Sequence, residues 1–416
     1  MKVKIIIILL AVYLFSGCST PSDQIKLDFW HAMADPKDKV LNVLVSDFEK
    51  QNPGIKITTQ YVGNYDVLLQ KLLASVAAGN PPDIAQVYEN WTTRFVEEKA
   101  IVRIEDFFSR DYDKEKDLQD IYPVFLKNNS YDKKLWTFPF NKSIYVYYYN
   151  EALFKKEGLV PPKTASEFLN ICTKLTKRDE SGKVVRYGFG FRANIDIFAI
   201  FLYMNKGRFF NEEETKSTFN NAVGRETLQF ISDLYNKYKV AEYSKDYLDN
   251  DFASGRLAAF FATSPHRSYL EPLVAFPLGV APLPAGKVKA VPIAGTNLAI
   301  FEKKKKTAGR EEACFRFIKW LSGSENNVKW AIGTSYLPIR KSAAENPAML
   351  AHLKKKPFDA VGIHEIENAV PDPRLKCWQE VRIYIGEALE KVLLQRESPG
   401  VALDEAAKKV DALLAR

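Results

Sequence analysis

Three observations predict an α/β fold built in two units. Segments of strict apolar and polar alternation recur along the chain, longer segments with apolar residues at helical spacing separate them, and the 416 residues exceed one ordinary domain of about 100–200 residues. Ile25 to Trp30 alternates as a half-buried strand, and Val40, Leu41, Leu44, Val45 and Phe48 then mark a helix stopped by Asn52-Pro53-Gly54. Ile55 to Tyr61 alternates again. Tyr65 to Ala78 reads as a helix ended by Gly79-Asn80-Pro81-Pro82, and Ile84 to Tyr88 as a short apolar strand. This βαβαβ order implies a mainly parallel sheet covered by helices, in which ligands bind beyond the carboxyl ends of the strands. His31, the Gly63-Asn64-Tyr65 turn and Glu89 are the residues so placed.

A second block repeats the pattern. Tyr145 to Tyr149 is an aromatic strand, Asn150 to Lys156 a short helix, and Thr164 an N-cap for a helix from Ala165 to Leu175. Arg186 to Phe191 is strand-like and Arg225 to Tyr238 helical. Proline-broken strands follow from Phe276, then a strand at Leu298 to Phe301 and a helix at Glu311 to Leu321. Helices at Gln379 to Leu394 and Val401 to Leu414 finish the chain.

The amino terminus is an export signal: Lys2 and Lys4 precede the apolar run Ile5 to Leu14, which is too short for a span of about 20 residues. Cys18 follows Ser16-Gly17, an arrangement similar to a bacterial lipobox, so lipidation of Cys18 is expected, with ordinary cleavage near Ser19 as the alternative. Residues 1–17 are then the signal and 18–24 a polar tether.

A formal charge of +8 and a pI near 9.0, with scattered lysines, argue against a nucleic-acid stripe. The dense block Lys303 to Lys306 reads as a solvated loop. Cys172 and Cys314 sit in helical apolar patterns and read as small buried hydrophobes; with Cys377 they leave an odd number of thiols whose redox state the spacing leaves open.

Catalytic and cofactor signatures mostly fail. The four histidines show no metal-ligand spacing, and His364-Glu365 has no second histidine to complete a zincin helix. Gly279 and Gly286-Lys287 are wrongly spaced for a P-loop. Gly188-Phe189-Gly190-Phe191-Arg192-Ala193 matches a dinucleotide fingerprint formally, with alanine in the third place, but its phenylalanines would crowd a pyrophosphate. No Gly-x-Ser-x-Gly elbow occurs. No cofactor or metal is expected. A carboxylate pair for glycoside hydrolysis stays open, because its separation is a three-dimensional property.

Phe29-Trp30-His31, Gly63-Asn64-Tyr65, Gln86-Val87-Tyr88-Glu89, Pro139-Phe140-Asn141, Pro161-Pro162-Lys163-Thr164 and Tyr336-Leu337-Pro338 together resemble the extracellular solute-binding proteins of carbohydrate-type ABC importers, most of all the members that bind sn-glycerol 3-phosphate. The likeness runs over the mature chain in order. It implies a periplasmic-binding-protein-like fold of two lobes, a hinge and an interlobe cleft, with 25–130 and 262–327 in lobe I and 131–261 and 328–416 in lobe II. Together with the lipid expected on Cys18, it also implies a monomer anchored in the cell envelope and facing periplasm or exterior, partnered by ABC permease subunits and catalysing no reaction.

The resemblance carries over Tyr65, Glu89, Ser143, Thr263 with Ser264 beside it, Gly295, Tyr336 and Arg382 as ligand contacts. Arg382 would grip a phosphate through paired charge-assisted bonds, the hydroxyls and the Gly295 amide would take the remaining oxygens, and Glu89 would accept from glycerol hydroxyls. Lys142 stands where the family often has a small residue, either adding a phosphate-directed charge or facing solvent. Phe189-Gly190-Phe191-Arg192 replaces a stacking tryptophan. The expected ligand is glycerol 3-phosphate or a glycerophosphodiester; the alternatives are a neutral mono- or oligosaccharide and, in another class, an exported glycoside hydrolase.

Overall fold

The computed structural model describes residues 24–108, 114–305 and 307–415. The signal, Cys18 and all of the tether but Gln24 lie outside the described residues. Two sheets carry the architecture. In the first, the order is Ile55–Tyr61, Ile25–His31, Ile84–Val87, Asn297–Phe301 and Ile101–Val102, with Phe138–Pro139 also on Asn297–Phe301. The three leading strands are parallel, as the βαβαβ order requires, and Asn297–Phe301 runs antiparallel to Ile84–Val87. In the second sheet the order is Ala241–Ser244, Phe189–Arg192, Ala259–Thr263, Ser143–Asn150, Val291–Ala294 and Ala369–Val370, with Leu278–Ala281 also on Ser143–Asn150.

The predicted elements largely recur in place. The helix Tyr65–Ala78 starts at Asn64, whose side chain accepts from the Val67 amide at 3.0 Å. The helix Ala165–Leu175 opens with a complete capping box between Thr164 and Glu167, two reciprocal bonds that satisfy orphan amides. Helix Trp378–Leu393 packs with helices Pro399–Leu414 and Ala222–Asn236.

One assignment needs correction. Residues 262–327 were expected in lobe I and 131–261 in lobe II. Instead, Leu278–Ala281 and Val291–Ala294 pair with Ser143–Asn150 in the second sheet, while Phe138–Pro139 joins the first. The chain passes between sheets at Phe140 to Lys142 and at Gly295 to Thr296, not near Tyr131 or Phe261, and a third time between Phe301 and Ala369, the stretch that holds Asn327. An apolar strand pattern states that a segment pairs, not with which sheet, so crossings between similar strands are hidden from it.

Cys172 and Cys314 are buried in the core, as expected, and all three described thiols are free. Among the described residues no helix is long and apolar enough to cross a membrane. Lys303 is not simply solvated: it lies 3.0 Å from the buried Asp83, which Arg310 also engages.

Candidate functional site

The strand directions place polar residues from both sheets along one cavity of about 390 Å³. In the first sheet, Ile55–Tyr61 and Ile84–Val87 run toward it, so the residues just beyond them, Tyr65 and Tyr88-Glu89, line it. Asn297 sits opposite Val87, which brings Gly295 to the same edge. In the second sheet, Ser143–Asn150 is antiparallel to its neighbours, so its start lies beside their ends: Thr263 faces Tyr145, and Ala294 faces Ser143. Seven of the eight expected contacts, Tyr65, Glu89, Ser143, Thr263, Gly295, Tyr336 and Arg382, therefore line the cavity.

Ser264 does not. It opens a turn after the strand, its hydroxyl is buried without a hydrogen-bond partner, and its carbonyl accepts from the Tyr148 hydroxyl at 2.7 Å. The position after Thr263 thus points behind the sheet. His31, placed by the strand-end rule, is also turned inward: only 1% exposed, it accepts from the Met33 amide at 3.2 Å, and burial lowers its pKa to about 4.

Lys142 takes neither of the roles expected of it. The side chain is wholly buried and donates to Glu89 Oε1 at 2.6 Å. The same oxygen accepts from Asn128 at 2.8 Å and Asn297 at 3.1 Å. The Glu89 carboxylate at the cavity wall is thus neutralised from behind. Asn141 and Thr296, at the first and second chain crossings, both bond to Gln86, and Asn141 donates to the Tyr65 hydroxyl at 3.1 Å. Gly295 between them has φ +94, and a Cβ there would stand 1.9 Å from the Asn141 carbonyl oxygen, so only glycine fits the crossing.

Arg382 is held by two acids. Its Nη2 donates to Asp196 Oδ1 at 2.8 Å, and its Nη1 approaches Asp372 Oδ2 at 3.5 Å. Asp372 is further fixed by the Trp378 indole N–H at 3.1 Å. Burial would raise the Asp196 pKa, but Arg382 and the Tyr145 hydroxyl outweigh it and hold it low. Asp372 behaves oppositely: burial prevails over Arg382 and lifts it to about 6. Burial opposes the Arg382 charge, and the two carboxylates more than restore it.

Sequence reasoning missed Tyr88, Tyr145, Asp196, Asp372 and Trp378 as lining residues, and had Arg192 only as the end of the segment that replaces a stacking tryptophan; all six line the cavity. Arg192 ends a parallel strand and Asp196 follows it, so the strand-end rule applied to the second block would have found both. Asp372 follows the two-residue strand Ala369–Val370, parallel to Val291–Ala294 but too short to read from the sequence, and Trp378 begins the helix after it. The aromatic wall includes Tyr65 edge-on to Tyr88 at 5.0 Å and Tyr88 edge-on to Trp91 at 4.9 Å, and Phe191 also lines the cavity. Among the described residues no group of three or more His, Cys, Asp or Glu could hold a metal ion.

Residues 43–357 match the model of the bacterial extracellular solute-binding proteins. This chain belongs to that family. The solute-binding protein is 28% identical over 412 residues to the sn-glycerol-3-phosphate-binding periplasmic protein UgpB of Escherichia coli strain K12, covering 94% of this chain and 92% of the relative. UgpB of Pectobacterium atrosepticum is 29% identical, over 94% and 91% of the two chains. Among solved structures, UgpB from Mycobacterium tuberculosis in complex with glycerophosphocholine superposes with a TM-score of 0.83 at 22% identity, over 94% of this chain and 98% of that one. An ABC substrate-binding protein from Listeria monocytogenes in complex with cycloalternan gives 0.83 at 22% identity, over 94% and 100%. The two-lobe binding-protein fold expected from the motifs is therefore the fold of this chain. Family membership makes it a solute-binding protein of the cell envelope.

Proposed function

We propose that this solute-binding protein captures glycerol 3-phosphate or a glycerophosphodiester between its lobes and delivers it to an ABC permease. The observation that carries the reading is the convergence of Tyr65, Glu89, Ser143, Thr263, Gly295 and Tyr336 on the cavity that holds the Arg382 guanidinium. The phosphate would lie against Arg382, whose side chain keeps 29% exposure, and the glycerol hydroxyls among the tyrosine, serine and threonine hydroxyls. Glu89, with its charge met by Lys142, accepts from a hydroxyl at little cost in repulsion toward a phosphate. Ligand touching both lobes favours the closed state, and the permease reads the closed face. The protein is a monomer held near its permease by a lipid on Cys18, and it catalyses no reaction.

A neutral sugar is the second reading, favoured by the aromatic wall of Tyr65, Tyr88, Tyr145 and Tyr247, on which sugar faces stack. A thermal-shift panel on the chain from Ser19 separates the two, since a ligand bound only by the native state raises stability by RT ln(1 + [L]/Kd). A shift with glycerol 3-phosphate or glycerophosphocholine but not maltose supports the first reading. A shift with maltose alone replaces it by the second, and turnover of a chromogenic glycoside would overturn both.

A further inference from the structure

We propose that Asp196 and Asp372 set the charge class of the ligand: by sharing the Arg382 guanidinium they exclude a phosphomonoester dianion and admit a phosphodiester monoanion or an uncharged polyol. The inference rests on the cavity being the ligand site and narrows the ligand within it. Its basis is the charge arrangement around Arg382, the arginine expected to meet the phosphate, with Arg192 as the second arginine of the lining.

A guanidinium offers five N–H donors, and the two acids receive two of them, so donors remain for ligand oxygens. Net charge does not remain. The cavity lining contains the carboxylates of Asp66, Glu89, Asp196 and Asp372 against Arg192 and Arg382, with Lys142 behind Glu89. Four acids thus face three cations, and the acids nearest Arg382 outnumber it. Both are held in place by structure independent of any ligand. Asp196 lies in the first turn of helix Ile195–Met204, where the helix dipole favours an anion, and its Oδ2 accepts from the Asn194 side-chain amide at 2.9 Å. Asp372 is pinned by Trp378. Neither can swing away without losing these bonds.

A phosphomonoester carries a second ionisation near pH 6, so at neutral pH it brings close to two negative charges. Placed on Arg382 it would meet both carboxylates, and like charges brought together at a binding site weaken binding. A diester brings one charge and an ester oxygen, which the remaining donors satisfy.

The test is calorimetric titration at pH 7.5 of wild type, Asp372→Asn and Asp196→Asn with glycerol 3-phosphate and with glycerophosphocholine. Asparagine keeps an acceptor for Trp378 or Arg382 and removes the charge. Wild type is expected to bind the diester more tightly, and each variant to raise the affinity ratio of monoester to diester by about tenfold or more, the equivalent of 1.4 kcal/mol. A wild type that binds glycerol 3-phosphate at least as tightly as the diester, or variants with an unchanged ratio, overturns the inference while leaving the proposed function standing. Should wild type bind maltose and neither glycerol ligand, the proposed ligand falls. Gain of glycerol 3-phosphate binding in either folded variant then still supports the charge rule, and its absence overturns it.

Discussion

Lys142 and Glu89 show what a single residue does when its surroundings are dry. A lysine and a glutamate in the sequence read as a phosphate-directed or solvated charge and a ligand contact; buried, they become one neutral unit with Asn128 and Asn297 completing the carboxylate's bonds. Lys142→Met should leave Glu89 charged and unmatched, at a cost of about 3–5 kcal/mol. The urea midpoint would fall accordingly, with partial recovery when Glu89→Gln is added; a change under about 1 kcal/mol would refute the buried pair. Gly295→Ala combines a left-handed backbone with a collision against the Asn141 carbonyl, so a loss of at least about 2 kcal/mol in the same assay is expected. Motif order identified both Glu89 and Gly295 as important. The partner of the first and the strain at the second required coordinates, because Lys142 is far from Glu89 in sequence and a glycine's φ is not written in its neighbours.

Elements were legible where their chemistry is local. Thr164 and Glu167 stand at capping-box spacing, and the helix begins where that pattern places it. Thr164→Ala should cost about 0.5–2 kcal/mol, seen as a lowered denaturation midpoint; an unchanged midpoint would mean the exposed box contributes nothing. The helix Ile195–Met204 escaped notice for the opposite reason. It is buried on all sides, so its residues carry no 3.6-residue period to detect. Its start nevertheless supplies Asp196 to the site.

At the scale of the whole molecule, the lobes meet at titratable groups that neither lobe explains alone. Lys37 opens helix Lys37–Gln51 on the first sheet's side, and its ammonium lies 4.1 Å from the centroid of Tyr269, which follows the second sheet's strand Ala259–Thr263. Burial lowers its pKa from 10.5 to about 7, with Asp249 opposing. Between those values the unfolded chain holds the proton and the native state does not, so stability rises with pH from 7 toward 10.5 and is lost as pH falls to 7. Lys37→Met should flatten that part of a stability profile; parallel wild-type and variant curves would exclude the effect. His31, lowered from 6.5 to about 4 by burial, should remove further stability as acid is added across that interval. By itself the sequence determined the α/β class, most element positions, the family and seven of the residues that line the cavity, because periodicity, caps and ordered motifs are written within a few residues of each other. Only the tertiary structure decided which sheet each strand joins, that Ser264 faces away, that Lys142 serves Glu89, and that Arg382 is shared by Asp196 and Asp372. Each of these depends on contacts between distant segments, where register and burial, not local pattern, choose the partner.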